Sequence, residues 1–158
     1  MISREDSLRS EATTRDLSEA GFRQLAEFRR CIRQFLRFSE QAARSKGVEP
    51  QQHQLLLALK GLSCGTRPTI TALSEQLCLR HHSTVELVDR LVERGVVRRR
   101  HSDEDRREVL VELTPHGEDL LHQLSILHWE ELRVSGPALS EALWAVVHHR
   151  VRRDERTA

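Results

Sequence analysis

From Asp16 to Lys46 the apolar residues Phe22, Leu25, Ile32, Phe35, Leu36, Ala42 and Ala43 recur at helical intervals, and Phe28, Cys31 and Phe38 widen the same stripe. That period predicts one long amphipathic helix closing near Gly47. Residues 1–15 are polar, carry no sustained apolar period, and read as a flexible N-terminal arm. Pro50 suits the first turn of a second helix, whose apolar body is Leu55, Leu56, Leu57, Leu59 and Leu62 before the break Cys64-Gly65-Thr66-Arg67-Pro68. Thr69 is an N-cap for a short helix bearing Ile70, Leu73 and Leu77, and a further helix runs through Leu87, Val88 and Leu91 to Gly95.

After Gly95 the composition turns β-branched and basic, Val96-Val97-Arg98-Arg99-Arg100, which predicts a strand. The polar segment His101–Arg106 is turn-forming, and Val109, Val111 and Leu113 then alternate with Glu108, Leu110 and Glu112. Period 2 on both sides of a turn predicts a β-hairpin. Thr114-Pro115-His116-Gly117 opens another helix, carrying Leu120, Leu121, Leu124 and Leu127, and Ser135-Gly136-Pro137 is expected to separate it from a last helix with Leu139, Leu143, Val146, Val147 and Val151. The expected fold class is mainly α with a small β-hairpin wing: a winged helix-turn-helix at 50–114, flanked by N- and C-terminal dimerisation helices at 16–46 and 116–152, in a single domain over 16–158.

The 158 residues suffice for one real core, since a domain of this size buries roughly 70% of the surface that its unfolded chain exposes. Hydrophobic residues at 38% and charged residues at 31% exclude a disordered chain, and no run approaches the ~20 apolar residues of a membrane span. With no apolar signal stretch after Met1, a cytoplasmic location is the expectation. A net charge of +1 gives no global basic signal, so a nucleic-acid reading must rest on where charge is placed. Cys31, Cys64 and Cys78 are odd in number and share no CxxC spacing, the glycines form no GxGxxG or GxxxxGK pattern, and the pairs His81-His82 and His148-His149 are adjacent rather than spaced for chelation. No enzyme, cofactor or metal is expected.

A helix-turn-helix followed at once by a basic hairpin can place one helix in the major groove and the hairpin against the minor groove or backbone. The hairpin carries Asp105-Arg106-Arg107-Glu-Val-Leu-Val-Glu-Leu113-Thr114, and upstream stand Leu73-Ser-Glu-Gln-Leu77 and Leu87-Val88-Asp89-Arg90-Leu91-Val-Glu-Arg-Gly95. In these positions the chain resembles the MarR (multiple-antibiotic-resistance regulator) family, whose wing carries D-x-R-x-x-x-x-x-L-T. The resemblance spans roughly residues 50–120.

It implies a homodimeric regulator of transcription on double-stranded DNA, most commonly a repressor, in which Arg107 enters the minor groove and Asp105 orients Arg107 through a carboxylate pair. Arg106, Arg98, Arg99 and Arg100 would neutralise phosphates, while Asp103, Glu104 and Asp105 offset part of that charge. His81, His82, Ser83, Val85, Glu86 and Arg90 form the candidate base-reading side of the recognition helix. Two starts are open for that helix, one near Arg80 and one at Ser83, where Ser83-Thr-Val-Glu86 reads as a capping box that would occupy Glu86 with backbone.

The resemblance also implies a cleft for a small aromatic or amphipathic effector, with Phe28, Ile32, Phe35, His53 and Leu57 as candidate lining, although each taken singly reads first as ordinary core. Cys31 is the candidate oxidant-sensing thiol, although it shares the apolar stripe of Phe28, Phe35 and Phe38, as a buried structural thiol would. Cys78, between Leu77 and Leu79, reads as packed. A winged helix without DNA binding, kept as a protein-interaction module, is the rival reading; Asp105 and Arg107 in register speak against it.

Overall fold

A computed structural model describes residues 18–149, so the residues assigned to the N-terminal arm and the far end of the last helix lie outside the described part. The order is α1 (Glu19–Ser45), α2 (Pro50–Lys60), α3 (Ile70–Leu77), α4 (His81–Glu93), β1 (Val97–His101), β2 (Val109–Leu113) and α5 (Pro115–Val147). The described residues fall into two compact units: Arg37–Glu130, and 18–36 together with 131–149.

In the Arg37–Glu130 unit each helix ends where local chemistry ends it. Gly95 has φ +65°, and its amide donates to the Val92 carbonyl while Val96 N–H donates to Leu91. These two bonds satisfy the last carbonyls of α4 in a left-handed cap that glycine adopts at no steric cost. The cap turns the chain straight into β1. Thr69 caps α3 by accepting from Ala72 N–H at 3.2 Å. The turn between α3 and α4 uses the same left-handed geometry with a side chain in place: Cys78 has φ +53°, and Leu79 N–H donates to the Ser74 carbonyl.

Leu73 from α3, Leu87, Val88 and Leu91 from α4, and Leu55 and Leu56 from α2 meet Val96, Val97, Val111, Leu120, Leu121 and Leu124 in one core. Each fully buried aliphatic side chain stabilises it by roughly 1.5–3 kcal/mol. Thr84 is also fully buried on α4, made tolerable because its hydroxyl donates back to the Arg80 carbonyl at 3.2 Å.

β1 and β2 pair antiparallel, from Val97 opposite Leu113 to His101 opposite Val109. The other edge of β2 is occupied too: Val111 N–H donates to the Pro68 carbonyl at 2.8 Å, and Thr69 bridges Leu110. A single bridge from the loop before the helix-turn-helix therefore lies along that edge of the two-stranded sheet. It explains why Leu110, on the face expected to be polar, is buried.

Thr114 joins the hairpin to α5. Its hydroxyl donates to the Gly95 carbonyl at 2.7 Å and accepts from Gly117 N–H at 3.1 Å, with Pro115 in the first helical position. Gly117 is required by space, since a Cβ there would lie 2.1 Å from the Val96 carbonyl oxygen.

The expected break at Ser135-Gly136-Pro137 does not occur, and α5 runs through it as one helix. Pro137 has no N–H for the Arg133 carbonyl, a loss of the kind that costs about 3 kcal/mol in a helix interior. Gly136 nevertheless does not take the left-handed φ that would end the helix. In the unit holding the two chain ends, Ser18 opens α1 by accepting from Gly21 N–H at 3.2 Å, and Cys31 and Ala142 are buried. That unit leaves Phe22, Leu25, Leu36, Val134, Leu143, Trp144 and Val147 exposed.

Candidate nucleic-acid interface

α4 begins at His81 with Arg80 as its N-cap residue, so the start at Ser83 is not taken. The capping box fails because Ser83 and Glu86 lie within the helix rather than at its entrance. Glu86 instead approaches Arg90, one turn on, at 4.0 Å. His81, His82, Glu86 and Arg90 are exposed, Ser83 and Val85 are half-buried, and Leu87, Val88 and Leu91 face the core. Because Arg80 makes no side-chain cap, the first amides of α4 have no side-chain acceptor from it. A helix N-terminus in that condition favours negative charge.

The hairpin places Arg98, Arg99 and Arg100 on β1, and each is tied to a carboxylate. Arg98 and Arg100 both reach Glu112, at 3.0 and 2.7 Å, Arg100 also reaches Asp103 at 3.0 Å, and Arg99 pairs with Asp89 on α4. Hydrogen bonds from Arg100, then Arg98, hold the Glu112 carboxyl below the usual carboxylate range. Asp89 escapes notice in sequence because a polar residue on the recognition helix reads as solvated. Its partner ten residues away only comes near once the Gly95 cap has folded β1 back along α4.

Beyond His101 the tip is built from backbone bonds. Ser102 N–H donates to the Glu108 carbonyl at 3.0 Å and Glu108 N–H to the Asp105 carbonyl at 2.9 Å. The Asp105 carboxylate accepts the backbone N–H of Arg107 at 2.9 Å. Where a carboxylate pair between the two side chains was expected, Asp105 meets the main chain of Arg107 instead, in the local turn that a short carboxylate side chain favours, and no ion pair joins the two side chains. Among the described residues neither Arg106 nor Arg107 has a guanidinium partner, and both are exposed. The wing thus separates its arginines into a paired set on the strand and an unpaired set at the tip.

The other candidates are scattered. Phe28, Ile32 and Phe35 are half-buried on α1 in the unit of the chain ends. In the Arg37–Glu130 unit, Leu57 lines a cleft of about 360 Å³ with Leu121, His122 and Ser125. His53 does not line it. Its ring is 2% exposed and lies 4.7 Å from the His128 ring, which in turn reaches the Ser39 hydroxyl at 2.7 Å and the Leu124 carbonyl at 2.6 Å. Burial first, and the neighbouring His128 second, lower the pKa of His53 to about 4, and its Nδ1 is buried without a partner. Cys31 is buried, with its Sγ 3.7 Å from a Glu27 carboxylate oxygen. Cys78 is exposed rather than packed, since the left-handed turn points it out of the helix-turn-helix core. No described helix is long and apolar enough to cross a membrane.

The MarR family model matches residues 46–108, which span α2 to the wing tip. No curated protein matches the sequence. Among solved structures, one MarR family transcription regulator superimposes with a TM-score of 0.65 at 19% identity, covering 80% of this chain and 82% of its own. Wild-type apo MarR from E. coli gives 0.60 at 18% identity, covering 93% and 98%. CouR, a transcriptional repressor bound to a 23-mer DNA duplex, gives 0.57 at 23% identity, covering 76% and 89%. The fold is thus shared along most of the chain, and the winged helix at 46–108 matches the model of the MarR family.

Proposed function

We propose that the chain is a sequence-specific DNA-binding transcription regulator, a homodimer acting on a pseudo-palindromic site and a ligand-responsive repressor. The observation that carries the reading is the wing tip, where Asp105 pins the backbone and Arg106 and Arg107 have no side-chain partner among the described residues. Two unpaired guanidinia on a pinned turn suit a narrow, electronegative minor groove. The exposed His81, His82, Glu86 and Arg90 would read base edges in the adjacent major groove. Arg98 and Arg100 would lie along the phosphates.

The homodimer is supported by the large apolar side chains that the end-forming unit leaves uncovered, among them Phe22, Val134, Trp144 and Val147. Large apolar side chains left exposed are the kind of surface that a partner covers. A two-fold dimer would set its recognition helices roughly 34–36 Å apart, one turn of DNA. The likeness to CouR, solved on a duplex, accords with this reading. A small aromatic or amphipathic effector would act by favouring one spacing of the two recognition helices.

The test is selection from genomic fragments by the purified protein at moderate salt, followed by titration of the recovered site. Arg107→Ala should weaken binding by about 1–3 kcal/mol, or roughly five- to 150-fold, while the protein stays folded. No enriched fragment, or a site bound equally by Arg107→Ala, would remove the wing from DNA contact and favour an interaction module.

A further inference from the structure

The register of β1 with β2 ends at His101 opposite Val109, so residues 102–108 stand outside the ladder, and 103–107 are exposed. Their own bonds close the turn but do not aim it relative to the helices. Arg100 braces the tip from within the hairpin, through Asp103. From outside the hairpin, Arg67 alone among the described residues forms ion pairs with the tip. Its guanidinium takes Glu108 at 2.6 Å through Nη1 and Glu104 through Nη2, thereby holding both arms of the turn with one fork.

The base of that fork is rigid. Arg67 immediately precedes Pro68 and Thr69, which a backbone hydrogen bond and a β-bridge tie to β2, and Thr69 is the N-cap of α3. Arg67 therefore links the entrance of the helix-turn-helix to the tip of the wing.

We infer that Arg67 is a positioning residue for DNA binding: its pairs with Glu104 and Glu108 fix the wing tip relative to α3 and α4, so that Arg107 is presented in one orientation. The inference rests on the DNA-contact reading proposed above. Without the fork the tip samples other orientations, and affinity falls in proportion to the fraction correctly placed. Glu108 makes the idea testable by sign. A carboxylate beside DNA repels phosphate, so its removal should tighten binding unless the carboxylate holds something in place.

The experiment compares wild type, Arg67→Ala, Arg67→Lys, Glu108→Ala, Arg107→Ala and the Arg67→Ala/Arg107→Ala double variant. Each is titrated on the selected fragment over a range of salt, with amide exchange across 102–108 measured on the free protein. Arg67→Ala and Glu108→Ala should each weaken binding by about three- to tenfold, with the salt slope of wild type and faster exchange at Arg107 and Glu108. Arg67→Lys, which keeps the charge but not the fork, should fall between. The Arg67→Ala loss should vanish when Arg107 is already alanine.

Unchanged exchange at the tip, or tighter binding by Glu108→Ala, overturns the inference. So does an Arg67→Ala loss that persists in the Arg107→Ala background with a slope shallower by about one, because Arg67 would then be a phosphate contact. If Arg107→Ala itself leaves DNA binding intact, the DNA-contact reading fails, and the exchange measurement alone decides whether Arg67 holds the tip.

Discussion

His53 should make the stability of the winged-helix unit depend on acid. The ring is almost wholly buried beside His128, and its Nδ1 has no partner, so the folded protein holds it neutral with a pKa lowered to about 4 from an ordinary 6.5. Above pH 6.5 the ring is neutral in both the folded and unfolded chain and pH changes nothing. As pH falls from 6.5 towards 4 the unfolded chain takes up a proton that the folded one refuses, so folding loses stability over that window. Each unit of pKa difference corresponds to about 1.4 kcal/mol, so the total approaches about 3 kcal/mol. Below pH 4 both states are protonated and the His53 contribution stays constant. Urea unfolding at a series of pH values, for wild type and His53→Leu, isolates the effect, because leucine cannot titrate and every other group is common to both. The stability difference should shift in favour of His53→Leu by about 2–3 kcal/mol between pH 7.5 and pH 4.5. A difference constant across that range would refute the reasoning.

Gly117→Ala should destabilise by at least about 2 kcal/mol, because the new Cβ would fall 2.1 Å from a Val96 carbonyl oxygen that Thr114 also holds in place; an unchanged urea midpoint would show that the entrance of α5 can shift freely. Cys78→Gly should stabilise by about 0.5–1 kcal/mol, since Cys78 is exposed and sits at the left-handed φ that glycine takes without steric cost. A lowered thermal midpoint for that variant would contradict it.

Elements governed by near neighbours were legible in the sequence. Thr69 as a cap, Gly95 as a helix end, Pro115 in a first turn and the apolar set Leu87, Val88 and Leu91 each depend on residues within a turn or two. Ser135-Gly136-Pro137 misled because composition alone marks a break, whereas the outcome depends on whether Gly136 turns left-handed, and it does not. Ser83-Thr-Val-Glu86 misled likewise, since a capping box has meaning only at a helix entrance and α4 begins two residues earlier. What sequence could not supply were the partners set by tertiary folding: Pro68 and Thr69 on the edge of β2, Asp89 against Arg99, Arg67 against the wing and His53 against His128. Each joins residues at separations that no periodicity reports.

Those partners change what the arginine-rich strand can contribute to DNA binding. Arg98 and Arg100 share Glu112, so a phosphate approaching β1 would compete with a carboxylate already bound. Exposed pairs of this kind are worth at most about 1 kcal/mol, so the exchange is possible, but the phosphate gains only the difference between two similar ion pairs. Glu112 also stays in place, its charge set against the incoming phosphate. Among the described residues Arg106 and Arg107 have no carboxylate to give up. Alanine at Arg98 or Arg100 should therefore weaken binding to the selected site less than Arg107→Ala does, and Glu112→Gln should strengthen it by freeing Arg98 for phosphate and leaving Arg100 with Asp103 alone. Titrations of the four single variants at one salt concentration decide the order. If Arg98→Ala or Arg100→Ala proved the most damaging, the strand rather than the tip would be the principal contact, and the pairs with Glu112 would have to open on binding.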